Sequence, residues 1–203
     1  MKYPENIKEI AALQPDYLGF IFWEKSSRFM NVRSIPELPE TTKKVGVFVD
    51  ASVKEIRSKI EQYQLDIVQL HGNESASFCT KIKQLDVEII KVFSIGTNFD
   101  FSVLEQFLPM VDYFLFDTKG KLPGGNGVTF DWKILENYPF EKPFFLSGGI
   151  GINEIEAIKA FQKTIVAEKC IAIDVNSQFE TKPGLKSKIE LEKFKKLLYE
   201  HEI

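Results

Sequence analysis

Cysteine is scarce in this sequence: Cys79 and Cys170 are the only two among 203 residues, far apart and in no metal or redox spacing. That excludes a disulfide scaffold and suits a reducing cytoplasm. Histidine is as rare, with only His71 and His201, and no metal constellation can be drawn. Charge of one sign is not in excess either. Lys and Arg number 26 against 29 Asp and Glu, a formal net charge of −3, and no basic cluster offers a nucleic-acid surface. Long apolar runs are missing. The longest, residues 17–23, falls far short of the roughly 20 residues a membrane-spanning helix needs. No charged-then-apolar leader opens the chain, so secretion has no support. The Gly-x-Gly-x-x-Gly fingerprint of dinucleotide-binding folds is absent too. With 44% hydrophobic and 27% charged residues, the chain reads as one globular domain over 1–203, with ample material for a core.

What is present alternates between short apolar runs and amphipathic stretches. Seven strand-like segments stand out at 17–22, 44–49, 66–70, 88–93, 112–116, 143–147 and 170–175. Most are continuous β-branched or aromatic runs, the pattern of strands buried on both faces. Val53, Ile56, Ile60 and Tyr63 keep helical spacing behind a Ser52/Glu55 capping box, and Ser187/Glu190 repeats that device before Leu191, Phe194, Leu197 and Leu198. Pro4 suits the first turn of a helix that turns Ile7, Ile10 and Ala11 inward. Segments 101–109 and 152–161 supply further helices. Strands and helices alternating without hairpin signals predict parallel βαβ units. Strand starts recur every 25 residues or so, and eight such units need about 204 residues, the low end for a (β/α)8 barrel. A doubly wound open sheet is the competing architecture, without its usual Gly-rich first turn. One period back from residue 17 lies before Met1. The spacing therefore predicts a (β/α)8 TIM barrel lacking its first strand, with seven strands present and two unpaired edges. Either residues precede Met1 in the natural protein, or another element fills the gap.

In such barrels the chemistry sits at the C-terminal strand ends. Asp117 ends the run 112–116. A carboxyl desolvated there can keep a proton and act as a general acid, and the plainer alternative is a turn aspartate. The Gly-rich stretch that follows, including Gly124-Gly125-Asn126-Gly127, is long enough to fold over a ligand. Gly148 and Gly149 follow the next strand and let backbone N–H groups approach a phosphate, with Asn176 and Ser177 supplying the other half of that site. His71 ends 66–70, either as a packing residue or as a ligand contact. Arg28 can pair with a carboxylate through its planar fork, against the alternative of a solvated charge. Asp174 faces the same mouth if the register holds. Cys79 and Cys170 read as structural.

Taken together, several of these segments resemble phosphoribosylanthranilate isomerase. They are Asp16 to Phe22 with Ser26-Ser27-Arg28-Phe29, Gly46-Val47-Phe48-Val49, Val68-Gln69-Leu70-His71-Gly72, and Phe116-Asp117 with Gly124 to Gly127 and Phe130-Asp131-Trp132. Leu146-Ser147-Gly148-Gly149 and Asp174-Val175-Asn176-Ser177 with Pro183-Gly184 complete the set. The match runs nearly end to end. It implies an isomerase of tryptophan biosynthesis that converts N-(5-phosphoribosyl)anthranilate to its ribulose isomer by an Amadori rearrangement. It implies Asp117 as the catalytic acid, Arg28 as the holder of the anthranilate carboxylate, and Asp174 and His71 as the lining beside it. Gly148, Gly149, Asn176 and Ser177 become the phosphate site. No cofactor or metal is expected. The partner is a small phosphoribosyl anthranilate rather than nucleic acid or membrane, the location cytoplasmic, and the protein a monomer or a homodimer.

The sequence departs from the pattern at Ser27, where proline is common, and at Gln178, where glycine is common. The larger departure is the family's base, a cysteine at the end of the first strand in Lys-x-Cys-Gly-Met. Here Met1 stands where that methionine stands. The expectation is therefore an N-terminally shortened chain that starts at an internal methionine. Loss of a general base costs roughly 10²–10⁴ in rate, so near-inactivity is expected. A non-catalytic barrel that binds a phosphorylated ligand or a partner protein, and a different phosphosugar-handling barrel enzyme, are the alternatives.

Overall fold

Unbroken runs of β-branched and aromatic residues fold as strands when other elements cover both of their faces. In the computed structural model, which describes residues 1–118 and 131–199, seven parallel strands form from the seven runs. They are β1 (Tyr17–Ile21), β2 (Lys43–Phe48), β3 (Ile67–Leu70), β4 (Glu88–Ile95), β5 (Tyr113–Thr118), β6 (Phe144–Leu146) and β7 (Cys170–Ile173). β3 is buried at every position. The chain forms two compact units.

The first unit comprises Met1–Val92, Gln106–Asp112 and Glu180–Lys186. Its strands pair in chain order: Tyr17 stands opposite Lys43, Val45 opposite Ile67, and Leu70 opposite Lys91. Helix α1 (Pro4–Ala11) starts on Pro4 and buries Ile7, Ile10 and Ala11, as the spacing predicts, together with Asn6. Helix α2 (Val53–Tyr63) carries the expected capping box. Ser52 Oγ accepts from the Glu55 N–H at 3.2 Å, and the Glu55 carboxylate accepts from the Ser52 N–H at 2.8 Å. Helix α3 (Ala76–Lys83) buries Cys79 and Ile82. An antiparallel hairpin, β8 (Glu180–Lys182) and β9 (Leu185–Lys186), also belongs here. The sequence reading has no hairpin at this place, because strands this short carry no periodic signal.

The second unit comprises the described residues of Phe93–Glu105, Tyr113–Phe179 and Ser187–Ile203. Phe114 pairs with Phe144, and Leu146 with both Phe116 and Ile173. Its core is aromatic. Phe116 lies 5.1 Å from Phe144 and 5.4 Å from Tyr138, and Phe93 meets Phe114 edge-on at 5.6 Å. Buried Tyr138 donates its hydroxyl to the Lys142 carbonyl at 2.7 Å. The helix expected over 101–109 is a 3₁₀ turn, Phe101–Phe107, and the one over 152–161 splits into a 3₁₀ turn, Ile152–Glu154, and α4 (Ile155–Phe161). Helix α5 (Lys188–Tyr199) begins with Ser187 Oγ accepting from the Glu190 N–H at 3.3 Å. It packs Phe194 on Phe179 at 5.0 Å. Among the described residues no helix is long and apolar enough to cross a membrane.

Candidate active site

In a parallel sheet the loops after the strands collect at one edge, and functional side chains gather there. Every site residue read from the sequence lies at or just past the C-terminal end of a strand.

In the first unit, the turn after β1 carries Arg28. Phe29 N–H returns to the Ser26 carbonyl at 3.0 Å, Ser26 Oγ accepts from the Arg28 N–H at 3.1 Å, and Met30 N–H reaches back to Ile21 at 2.8 Å. The guanidinium does not stand alone. Its Nε lies 2.9 Å from Glu180 Oε2 and its Nη2 2.8 Å from the same oxygen, with Nε also 3.1 Å from Oε1. Glu180 further accepts from Lys186 Nζ at 3.0 Å and from the Gly184 N–H at 2.9 Å. Burial alone would raise this carboxyl, but the Arg28 hydrogen bond and the Lys186 charge hold it below the usual glutamate range.

His71 follows β3, with its N–H on the Phe48 carbonyl at 2.8 Å and its Nδ1 3.4 Å from Gln69 Nε2. Beneath it lies a buried ion pair. Lys91 Nζ meets Glu74 Oε2 at 3.0 Å, and both side chains are under 5% exposed. The ammonium also donates to the carbonyls of Leu70 and Gly72, on either side of His71, at 3.2 and 2.8 Å. Glu74 accepts from the N–H groups of Gly72 and Asp50. Gly72 has to be glycine, since a Cβ there would lie 2.3 Å from Asp50 Oδ1 and 2.7 Å from its backbone nitrogen.

In the second unit, Asp117 is 6% exposed near the C-terminal end of β5, and its Oδ1 accepts from the Thr118 N–H at 2.8 Å. Gly148, at φ +96°, approaches so closely that a Cβ would lie 2.3 Å from Thr118 Oγ1 and 2.8 Å from Asp117 Oδ1. Gly149 is also left-handed, at φ +69°. The glycine pair thus brings backbone against Asp117 as well as opening a turn. Asp174 accepts from Ser147 Oγ at 3.0 Å. Asn176 and Ser177 follow, Ser177 beginning a 3₁₀ turn. The Gly124 to Gly127 segment and His201 lie outside the described residues. Among the described residues no three His, Cys, Asp or Glu side chains group as metal ligands. A groove of about 290 Å³ is lined by Trp132, Ala157, Phe161 and Thr164 among others, none of them read from the sequence as a site residue.

Glu180, Lys186, Glu74 and Lys91 escaped the sequence reading. A lysine inside the apolar run 88–93 was the available signal, since a charge in a buried strand implies a partner.

Residues 1–197 match the family described as N-(5'phosphoribosyl)anthranilate (PRA) isomerase. A relative from Parabacteroides distasonis, named N-(5'-phosphoribosyl)anthranilate isomerase, is 44% identical over 201 residues, covering 96% of this chain and 88% of the relative. The solved phosphoribosyl anthranilate isomerase of Thermotoga maritima is similar with a TM-score of 0.81 and 28% identity, covering 98% of this chain and 95% of that one. Another phosphoribosyl anthranilate isomerase, solved in complex with reduced 1-(o-carboxyphenylamino)-1-deoxyribulose 5-phosphate, scores 0.78 at 25% identity, over 98% and 94% of the two chains. The expectation of a shortened, near-inactive chain is not borne out by these comparisons. Match, identity and fold agree: the chain belongs to the N-(5'-phosphoribosyl)anthranilate isomerase family, isomerases of tryptophan biosynthesis with the α/β fold of the (β/α)8 barrel.

Proposed function

We propose that this chain, acting as a single catalytic domain, isomerises N-(5-phosphoribosyl)anthranilate to 1-(2-carboxyphenylamino)-1-deoxyribulose 5-phosphate, with Asp117 as the acid. The observation that carries the assignment is the placement of Asp117: a buried carboxyl at a strand's C-terminal end, oriented by the Thr118 N–H and covered by Gly148. Its proton passes to the furanose ring oxygen, the C1–O bond breaks, and the anilino nitrogen's electron pair forms the iminium at C1. Loss of the C2 proton gives an enolamine, and tautomerisation gives the ketone, so substrate and product are isomers.

Arg28 takes the anthranilate carboxylate, and the family pattern implies His71 and Asp174 as further substrate contacts. Its Nε and Nη2 are engaged by Glu180, and the Nη1 edge is the one offered to substrate. Gly148, Gly149, Asn176 and Ser177 take the phosphate through backbone N–H groups and short polar side chains. The base is a separate matter. The cysteine implied by the family pattern has no counterpart in this sequence, and Cys79 and Cys170 do not fit the task. Burial pushes both thiols up to about 11, too high for a base near neutral pH. The proposal therefore assigns the acid alone among the proton-transfer groups. A cytoplasmic enzyme, monomeric or homodimeric, with a small-molecule substrate completes the reading.

Steady-state kinetics with the anthranilate's fluorescence as the signal test it. Asp117→Asn lowers kcat by about 10²–10⁴ while binding of the reduced product analogue stays within about threefold. Equal turnover by Asp117→Asn, or no turnover by the unaltered chain, would overturn the proposal.

A further inference from the structure

Arg28 stands in a cluster of charged side chains. Two cations, Arg28 and Lys186, share one anion, Glu180. Glu180 and Lys186 are buried, with side chains 5% and 8% exposed, whereas Arg28 keeps 20%. An arginine paired with one carboxylate alone is electrically neutral, and a second carboxylate that approaches it meets repulsion from the first as well as attraction. Here the Lys186 ammonium and the Gly184 N–H occupy Glu180 Oε1 from the far side.

We propose that Glu180 and Lys186 are positioning residues for a carboxylate-bearing substrate: Glu180 fixes the plane of the Arg28 guanidinium, and Lys186 offsets the charge of Glu180 so that less of it opposes the substrate carboxylate at Arg28. The inference rests on the reading of Arg28 as the carboxylate holder. The hairpin is built for this arrangement. Glu180 on β8 stands directly opposite Lys186 on β9, so cross-strand pairing brings the two charges together. The turn between them closes at Gly184, at φ +81°, whose N–H then points at the carboxylate. Lys186 is in turn gripped by α1, 180 positions away in sequence. Asn6 Oδ1 accepts from the Lys186 N–H at 2.8 Å, and Asn6 Nδ2 donates to its carbonyl at 2.9 Å. A guanidinium held on two of its nitrogens loses little freedom when a ligand arrives, which strengthens binding without any new contact.

Two ligands read the cluster: reduced 1-(o-carboxyphenylamino)-1-deoxyribulose 5-phosphate and its counterpart with an unsubstituted phenyl ring. Their dissociation constants, taken as a ratio, isolate the carboxylate. Lys186→Met weakens the carboxylated ligand roughly tenfold, the effect of one charge about 10 Å off, across Glu180 and Arg28, at an effective dielectric of about 20. The phenyl ligand changes by less than about twofold, and Lys186→Arg restores the ratio. Glu180→Gln sets an amide NH2 against the donors of Arg28 or against Lys186 and the Gly184 N–H, so the guanidinium loses its fixed plane and the ratio falls several-fold. Should Lys186→Met not fold, Lys186→Gln reports the same loss of charge. An unchanged ratio, or equal weakening of both ligands, in the Lys186 and Glu180 variants would overturn the inference while a sensitive Arg28→Met left the Arg28 reading standing. An Arg28→Met variant with an unchanged ratio would overturn both.

Discussion

Lys91 is the side chain whose loss should cost this fold most for its size. Lys91→Met keeps the length of the stem and removes the ammonium. Four acceptors then lose their donor: Glu74 Oε2 and the carbonyls of Leu70, Gly72 and Val92, at 2.8 to 3.3 Å. The Glu74 carboxylate, 3% exposed, stays buried with only the Gly72 and Asp50 N–H groups to face it. Breaking a buried pair by removing one partner costs about 3–5 kcal/mol. Three backbone carbonyls lose a donor besides, so the upper half of that range is expected. For a chain of this size that corresponds to a fall in Tm of roughly 8–20 °C. Urea unfolding followed by circular dichroism measures it. Lys91→Met with Glu74→Leu removes both charges, and the double variant should be no less stable than Lys91→Met alone. A loss below about 1 kcal/mol, or single losses that simply add in the double variant, would refute the buried-pair argument.

Gly148→Ala should cost about 1–3 kcal/mol from its left-handed φ alone. Because the new Cβ would press on Thr118 and Asp117 Oδ1, kcat should also fall, and an unchanged kcat would show that the contact with Asp117 does not matter. Acid titration of stability tests Glu180. Its folded pKa is depressed, so its contribution is complete above the ordinary glutamate value and is lost as the pH falls through the lower folded value. Glu180→Gln should therefore flatten the acid side of the stability curve, and an unaltered slope would contradict the shift. Cys79 and Cys170, with thiols pushed up to about 11 by burial, should resist a disulfide reagent at pH 8 for minutes in the folded chain and react fully in urea. Rapid labelling of either in the native state would show that it is not shielded.

The strands were legible because burial on both faces leaves an unbroken apolar run that needs no knowledge of neighbours. Helix α2 was legible for a different reason: Ser52 and Glu55 complete a capping box within three residues. Asp117, Gly148 and Asp174 could be singled out because strand ends follow directly from strand positions. What stayed hidden depends on long-range pairing. Glu74 and Lys91 stand 17 positions apart, Arg28 and Glu180 152 apart, and Asn6 and Lys186 180 apart. No periodicity links such residues. The hairpin of Glu180 and Lys186 is shorter than any window in which alternation could register. Segment 101–109 kept its apolar pattern and still wound as 3₁₀ over Phe101–Phe107, with Phe101 packed against Phe116 and Tyr138.

Growth of tryptophan-requiring cells that lack this isomerase tests the central claim most directly. The chain expressed in them should support growth on medium without tryptophan, and Asp117→Asn, present at equal level, should not. No growth with the soluble unaltered chain, or equal growth with both, would contradict an isomerase that works through Asp117.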